Sequence, residues 1–326
     1  MPARKICALT RKAAVITAAF FVWGGVKAEP FAYITNQKAN TVSVIDTQAR
    51  QVAATVELPA GSEPAGVAVS HDGHLIAIAN PTSRQVTLID GASRSIMGSI
   101  PVGSGPVGIA VDSAGKRVYA ADWYENVVAV LDPERRIVLW RVPVGRSPAG
   151  LVVSADGSKV YVANRDDDSI SEIDAQRLQV TRTVKVGKHP FGILLSTGGT
   201  RLYSANVESN DVSVVDVGSF SVLKTIKVGE RPYAVAEAAG RLFVTNQYDN
   251  SISAIDLGTL TVAGTVPVGE YPEGIASHPD GRQVYVANWF SNSVSVVDAQ
   301  SLTVLDTIET GNGSRAFGSF IGQKAP

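Results

Sequence analysis

Imidazole and thiol chemistry is scarce in this chain. It has four histidines, His71, His74, His189 and His278, and one cysteine, Cys7. No two histidines have convincing zinc-ligand spacing at one loop. His189 is the candidate general base, since imidazole titrates near neutral pH, with Glu273, Glu63 or Arg231 to assist it. Arg146, Arg231 and Arg315 carry the planar guanidinium that clamps a carboxylate or phosphate, or steadies an oxyanion. Asp166, Asp167 and Asp168 offer oxygen ligands for calcium, but the glycine and terminal glutamate of a calcium loop are missing. A solvated turn is the plainer reading of that run, and a hydrogen-bonded loop histidine the plainer reading of His189. No glycine-rich phosphate loop, Gly-x-Ser-x-Gly elbow or paired-carboxylate motif stands out. The residue types therefore suggest no metal and no cofactor.

A second set of side chains is suited to binding. Trp123, Tyr124, Phe191, Tyr233, Tyr271, Trp289 and Phe290, with Arg165 and the three arginines above, are of the kinds that dominate interface hot spots. Packing inside the fold would use the same aromatics, and rim solvation the same arginines. Which applies depends on the elements that hold them.

The first 28 residues read as an address. Arg4, Lys5, Arg11 and Lys12 precede the apolar run at 13–23, followed by Gly24, Gly25 and Val26-Lys27-Ala28. Positive, apolar, then small residues is the order of a secretory signal peptide, with cleavage expected after Ala28. An uncleaved anchor is the alternative, although the apolar run is short for a span. The leader holds five of the 29 basic residues and none of the 30 acidic ones, so the mature chain of 29–326 carries a net charge of −6. That charge works against nucleic acid. Cys7 leaves with the leader, so thiol catalysis and cysteine-held haem are excluded from the mature chain. The expected location is periplasmic or secreted. With 45% hydrophobic and 18% charged residues, the chain is too apolar for disorder.

Three anchors repeat in one phase along the rest. Strand ends recur as Tyr33-Ile-Thr-Asn36, Tyr161-Val-Ala-Asn164, Tyr203-Ser-Ala-Asn206 and Tyr285-Val-Ala-Asn288, with Asp122 in place of Asn in the third copy. An apolar residue followed by Asp recurs at Asp46, Asp90, Asp132, Asp174, Asp216, Asp256 and Asp298. Val-Gly-x-x-Pro runs from Val102-Gly103 to Val268-Gly269, and Arg315 is read at the proline position of the last copy. Seven copies of about 42 residues fit four-stranded propeller blades. In one copy, Leu151–Val153, Lys159–Ala163, Ile170–Ile173 and Gln179–Val186 read as strands A, B, C and D, separated by turn residues. The Asn ending strand B is expected to form an Asx-turn, the proline to lie outside the strands, and the glycine two residues later to enter a crowded centre. The chain starts at a B strand and ends on an A strand, Ala316–Ile321, which should complete the first blade and close the ring. The fold class is all-β: a seven-bladed β-propeller of four-stranded antiparallel blades, preferred over a pair of β-sandwiches.

Thr41-Val-Ser-Val-Ile-Asp46, Ser293-Val-Ser-Val-Val-Asp298 and Tyr161-Val-Ala-Asn164 resemble the YVTN β-propeller repeats over 31–321. The resemblance implies an extracytoplasmic, YncE-like protein. It also points to surface-layer proteins, to propellers associated with quinoprotein dehydrogenases and haem d1 enzymes, and more distantly to lactone-hydrolysing propellers. On such a fold the B–C and D–A loops surround one mouth of the central channel. They carry Trp123, Tyr124, Arg146, Arg165, His189, Phe191, Arg231, Tyr233, Tyr271, Glu273, Trp289, Phe290 and Arg315, where the repeats diverge. His71, His74 and His278 fall on the opposite face. The leading expectation is a monomeric, non-catalytic binding or scaffolding propeller for an envelope protein or a small anionic ligand. The alternatives are a lactonase, with His189 as base, Glu273 orienting it and Arg231 or Arg146 at the oxyanion, and an accessory to periplasmic quinoprotein or cytochrome redox enzymes.

Overall fold

The computed structural model describes residues 30–322, so the leader at 1–28 lies outside the described residues. Within them, 27 strands and one short 3-10 turn make seven radial sheets. Six sheets contain four strands in chain order, and the first contains three. In blade 4, strands A to D are Pro148–Val153, Lys159–Asn164, Ser169–Asp174 and Gln179–Lys185.

Burial follows position in the blade. Strands B and C are covered by neighbouring blades on both faces, so they read as nearly unbroken apolar runs. Tyr33, Tyr119, Tyr203, Tyr285 and Phe243 are the largest side chains so buried. The Tyr285 hydroxyl donates to the carbonyl of Thr47 in the next blade, 3.2 Å away. The outer D strands are largely exposed, and that of blade 4 alternates exposed and half-buried residues, as an edge facing water on one side should.

The anchors are coupled by geometry that differs in three respects from expectation. First, the Asn ending strand B is buried and does not form an Asx-turn. Asn164 Nδ2 donates to the hydroxyls of Ser169 and Ser171 on strand C, and its Oδ1 accepts from Gly145 N at 3.0 Å. Asn36, Asn246 and Asn288 reach strand C in the same way. The hydroxyls at the first and third positions of strand C are thus the partners of a buried amide that would otherwise be left unsatisfied. A Cβ on Gly145 would lie 2.6 Å from the Asn164 side chain, which explains the anchor glycine. Asx-turns form instead at Asp122 and at the apolar-Asp anchor, where Asp174 accepts from the amides of Gln176 and Arg177.

Second, the proline opens strand A. Pro148 pairs with Asn164, and the next pair is Leu151 with Val162, so a bulge lies between them. Proline is tolerated at a first strand position because no ladder bond needs its nitrogen. The glycine in that bulge meets the crowding expected: a Cβ on Gly150 would sit 2.4 Å from the carbonyl oxygen of Phe191 in the next A strand.

Third, the closing segment completes blade 1 through separate bridges. Ser314 bridges Asn36, and Ile321 bridges Ala32. Tyr33 N donates to Phe320 O and Arg315 N to Thr35 O, each at 2.9 Å. The left-handed φ values of Ala316 (47°) and Gly318 (121°) break the ladder. Ser314 pairs with Asn36 as Pro148 pairs with Asn164, so Ser314 holds the proline position. Arg315 is therefore one step further along the A segment than the sequence suggested.

Blade 4 carries one departure from the repeat. Glu172 is buried on strand C where Val44, Leu88, Val130 and Val214 stand in other blades. It pairs with Arg182, with Lys159 Nζ at 3.6 Å, and accepts from Thr181 Oγ1 at 2.7 Å. Arg182 also donates to the carbonyls of Val217 and Gly218 and stacks on Phe220, 4.6 Å from its centroid, so it ties blade 4 to blade 5. Burial would raise the Glu172 carboxyl, but Arg182, Thr181 and Lys159 outweigh it and hold it below the ordinary range.

Candidate functional site

The corrected register places Ala65, Val107, Ala149, Phe191, Tyr233, Glu273 and Arg315 at one equivalent position, second in the seven A segments. They ring the mouth of the channel on the loop face. The ring is lopsided. Blades 2, 3 and 4 contribute small side chains, and blades 5, 6, 7 and 1 contribute large ones.

The large side chains form a continuous plug. Phe191 stacks on Tyr233 with centroids 4.1 Å apart, and Phe317 of the closing segment packs against both, at 4.8 and 5.6 Å. Trp123 joins at 6.0 Å from Phe191. Glu273, buried, and Arg315, part-buried, finish the row as a bidentate pair, with Nε–Oε2 at 2.5 Å and a guanidinium NH2 3.2 Å from Oε1. Gln247 donates to the same carboxylate at 3.1 Å, and Arg315 donates to the Tyr233 hydroxyl at 3.2 Å. Burial pushes Glu273 above the ordinary carboxylate range, against Arg315 and Gln247. Burial likewise pushes the Tyr233 phenol up. It also opposes the charge of Arg315, but Glu273 and Tyr233 outweigh it and keep the guanidinium protonated.

Behind the plug, the A strands enclose a channel cavity of about 170 Å³. Ile109, Leu151, Val152, Ile193, Val235 and Ile275 line it, with Phe317 at one end, and no charged side chain does so among the described residues. The cavity therefore holds no acid or base for hydrolysis. The adjoining space toward the opposite mouth is lined by His71.

The rim divides the remaining candidates. Arg146 is exposed and paired with Asp167 at 2.7 Å, and Arg165 with Asp166 at 2.5 Å while lying over Trp123. Asp168 accepts from His189 N. Asp166 also accepts from Ser147 Oγ at 2.6 Å, so the three part-exposed aspartates tether this loop to the two neighbouring D–A loops through Ser147, Arg146 and His189. His189 sits at φ 54°, and its Nδ1 lies 3.3 Å from Glu208. The carboxylate beside His189 is thus Glu208, while Glu273, expected to orient it, is engaged by Arg315 and Gln247. Tyr124 is 73% exposed, its ring lying over Gly105.

The other aromatics form an open ridge. Tyr248 is 56% and Phe290 50% exposed. Tyr271 lies between them, 5.8 Å from Tyr248, 4.7 Å from Phe290 and 5.5 Å from Trp289, and Trp289 stacks on Phe290 at 4.9 Å. Arg231 covers Tyr248, Lys38 covers Trp289 and Phe290, and Arg315 underlies Trp289. Sequence reasoning found many of these residues but gave no role to Lys38, Glu208, Gln247, Tyr248 or Phe317. Phe317 was hidden as a strand residue. The other four are loop positions where the copies diverge, which is the only signal the sequence offers for them.

The model of the YNCE-like beta-propeller family matches residues 10–116 and 237–326, and that of the seven-bladed beta-propeller lactonase matches 141–235. No curated protein sequence matches the chain. Similar solved structures include hydrazine synthase of Kuenenia stuttgartiensis, with TM-score 0.72 and 20% identity, covering 79% of this chain and 90% of that one. A functionally unknown protein of Desulfotomaculum acetoxidans has TM-score 0.77 and 12% identity, covering 91% and 99%. The dihydro-haem d1 dehydrogenase NirN in complex with DHE has TM-score 0.67 and 16% identity, covering 86% and 64%. At these identities the likeness is one of fold.

Proposed function

The chain belongs to the YNCE-like beta-propeller family, and we propose that it is a binding propeller working outside the cytoplasm, with its loop face turned to a protein partner. The carrying observation is the open ridge of Tyr248, Tyr271, Trp289 and Phe290. Exposed, clustered aromatics of this kind supply large contact areas at little entropic cost. The plug beside the ridge is internally satisfied, with Arg315 neutralised by Glu273, so it supports the ridge instead of clamping an anion. The leader at 1–28 has the order of an export signal, which agrees with a site of action in the periplasm or outside the cell.

Photo-crosslinking from the full chain tests this reading. A photoreactive residue at Phe290 should trap one partner in the native envelope, and Tyr248→Ala should abolish the product. The same group at Trp140, exposed on the outer D strand Ile137–Pro143 of blade 3, should trap nothing saturable. Equal trapping from both places would refute a loop-face partner.

One observation favours a second reading. His189 and Glu208 form a 3.3 Å imidazole–carboxylate pair inside the stretch matched by the lactonase model. Such a pair could draw a proton from water attacking a lactone. Purified protein screened against lactones should then lose activity in His189→Ala and fall several-fold in Glu208→Gln. Absence of turnover in the unaltered protein would end that reading.

A further inference from the structure

The loop-face reading leaves the partner's chemistry open, and the ridge narrows it. Several cations near the loop face are already matched: Arg146 with Asp167, Arg165 with Asp166, Arg141 with Glu125, Lys227 with Asp211 and Arg315 with Glu273. Lys38 and Arg231 are the cations of the ridge itself, and neither has a carboxylate within ion-pair distance among the described residues. They stand at its two ends, Lys38 Nζ 5.8 Å from the Trp289 and Phe290 centroids and the Arg231 guanidinium 5.2 Å from that of Tyr248. Each end also holds a buried donor without a hydrogen-bond partner among the described residues, Trp289 Nε1 and Arg231 Nε. A carboxylate brought to either cation meets no competing acid there, which is where a charge-assisted hydrogen bond gains most.

Acidic side chains bound what kind of anion fits. Glu230 precedes Arg231, Glu270 precedes Tyr271 and Asp249 follows Tyr248, and Glu230 and Glu270 are exposed. A continuous polyanion laid along the ridge would meet these charges. Two separate carboxylates, one at each end, would avoid them. Steps of 5.2, 5.8, 5.5 and 5.8 Å lead from Arg231 over Tyr248, Tyr271 and Trp289 to Lys38, the longest the span between the two cations can be. Four residues of extended chain reach roughly 13 Å, and a glutamate side chain at each end extends that reach toward the two cations.

Resting on the loop-face reading, we infer that the ridge binds an extended acidic segment of a protein, in which two carboxylates about four residues apart flank apolar residues. The carboxylates engage Lys38 and Arg231, and the apolar residues lie on Tyr248, Tyr271 and Phe290.

The test uses a fluorescein-labelled peptide with two glutamates separated by proline, tryptophan and proline, alongside versions with glutamine or lysine in place of both glutamates, free glutarate, and an oligo-dT strand. Fluorescence anisotropy with the full protein should show binding of the glutamate peptide, at least about tenfold weaker binding of the glutamine version, and none of the lysine version. Lys38→Ala and Phe290→Ala, both at exposed positions, should each weaken the glutamate peptide about tenfold while leaving the melting temperature unchanged. Arg231→Ala should do the same at the other end. Glutarate should compete only weakly, because it lacks the apolar stretch. Equal binding of the three peptides, binding of none, or retention of oligo-dT alone with the same sensitivity to Lys38 and Arg231 would overturn the inference. If charge-independent peptide binding appears while crosslinking from Phe290 persists, the acidic-segment inference fails and the loop-face reading stands. If crosslinking fails as well, both fall.

Discussion

Two glutamates are buried against arginines in this propeller, and their carboxyls are shifted in opposite directions. Glu172, between blades 4 and 5, is held below the ordinary carboxylate range, whereas Glu273, in the plug, is pushed above it. Both carboxylates are almost fully removed from solvent, at 3% and 1% exposure. The difference lies in their surroundings. Glu172 faces two cations and a hydroxyl near the blade surface, with Arg182 still part-exposed. Glu273 has one cation, one amide and the aromatic wall of Tyr233 and its neighbours. The comparison teaches that an ion pair alone does not set the balance. The number of donors measured against the depth of burial does.

Removing each arginine should separate the two sites most sharply. Arg315→Ala strands Glu273 in the plug and detaches the closing segment from blade 7, so a loss of about 3–5 kcal/mol is expected in urea unfolding. Arg182→Ala leaves Lys159 and Thr181 on Glu172, and a smaller loss, about 1–3 kcal/mol, should follow. Equal losses would mean that donor number is irrelevant. The double change Glu172→Val with Arg182→Met restores the apolar residue of most other blades and should be nearly neutral or stabilising by the same assay.

Titration gives a finer contrast. The folded pKa of Glu172 lies below its unfolded value, so its contribution is complete above about pH 4.3 and is lost as pH falls through the folded pKa. The folded pKa of Glu273 lies above its unfolded value. Its contribution is complete below about pH 4.3 and is lost as pH rises through the folded pKa. The stability advantage of the unaltered protein over Glu172→Gln should therefore shrink on acidification. Its advantage over Glu273→Gln should shrink on the alkaline side. Parallel curves from pH-dependent urea unfolding would break the comparison. The smallest effect belongs to the open ridge: Tyr248→Ala and Phe290→Ala should change stability by less than about 0.5 kcal/mol, since neither ring is buried.

Most of the fold was legible because each repeated anchor has a local cause that recurs in every copy. The aspartate turns, the apolar B and C runs and the crowded A-strand glycine all rest on residues close in sequence or on the neighbouring blade. The Asn–hydroxyl coupling was missed, although its signal was present: every Asn at the end of strand B is followed seven residues later by Ser or Thr. Arg315 was misplaced by one residue because its copy lacks the proline that marks the register. That shift concealed its kinship with Glu273, one repeat earlier, and so concealed the pair.

The sequence by itself determined seven blades, their strand order, the face bearing the divergent loops and the identity of most rim residues, because a periodic pattern permits one ring closure. Only the tertiary structure decided which rim residues are buried in the plug and which stand open on the ridge. That choice depends on side chains from different blades meeting around the mouth. Phe191, Tyr233, Glu273 and Arg315 come together only when the ring is closed, and the partner each finds there leaves Lys38 and Arg231 unmatched.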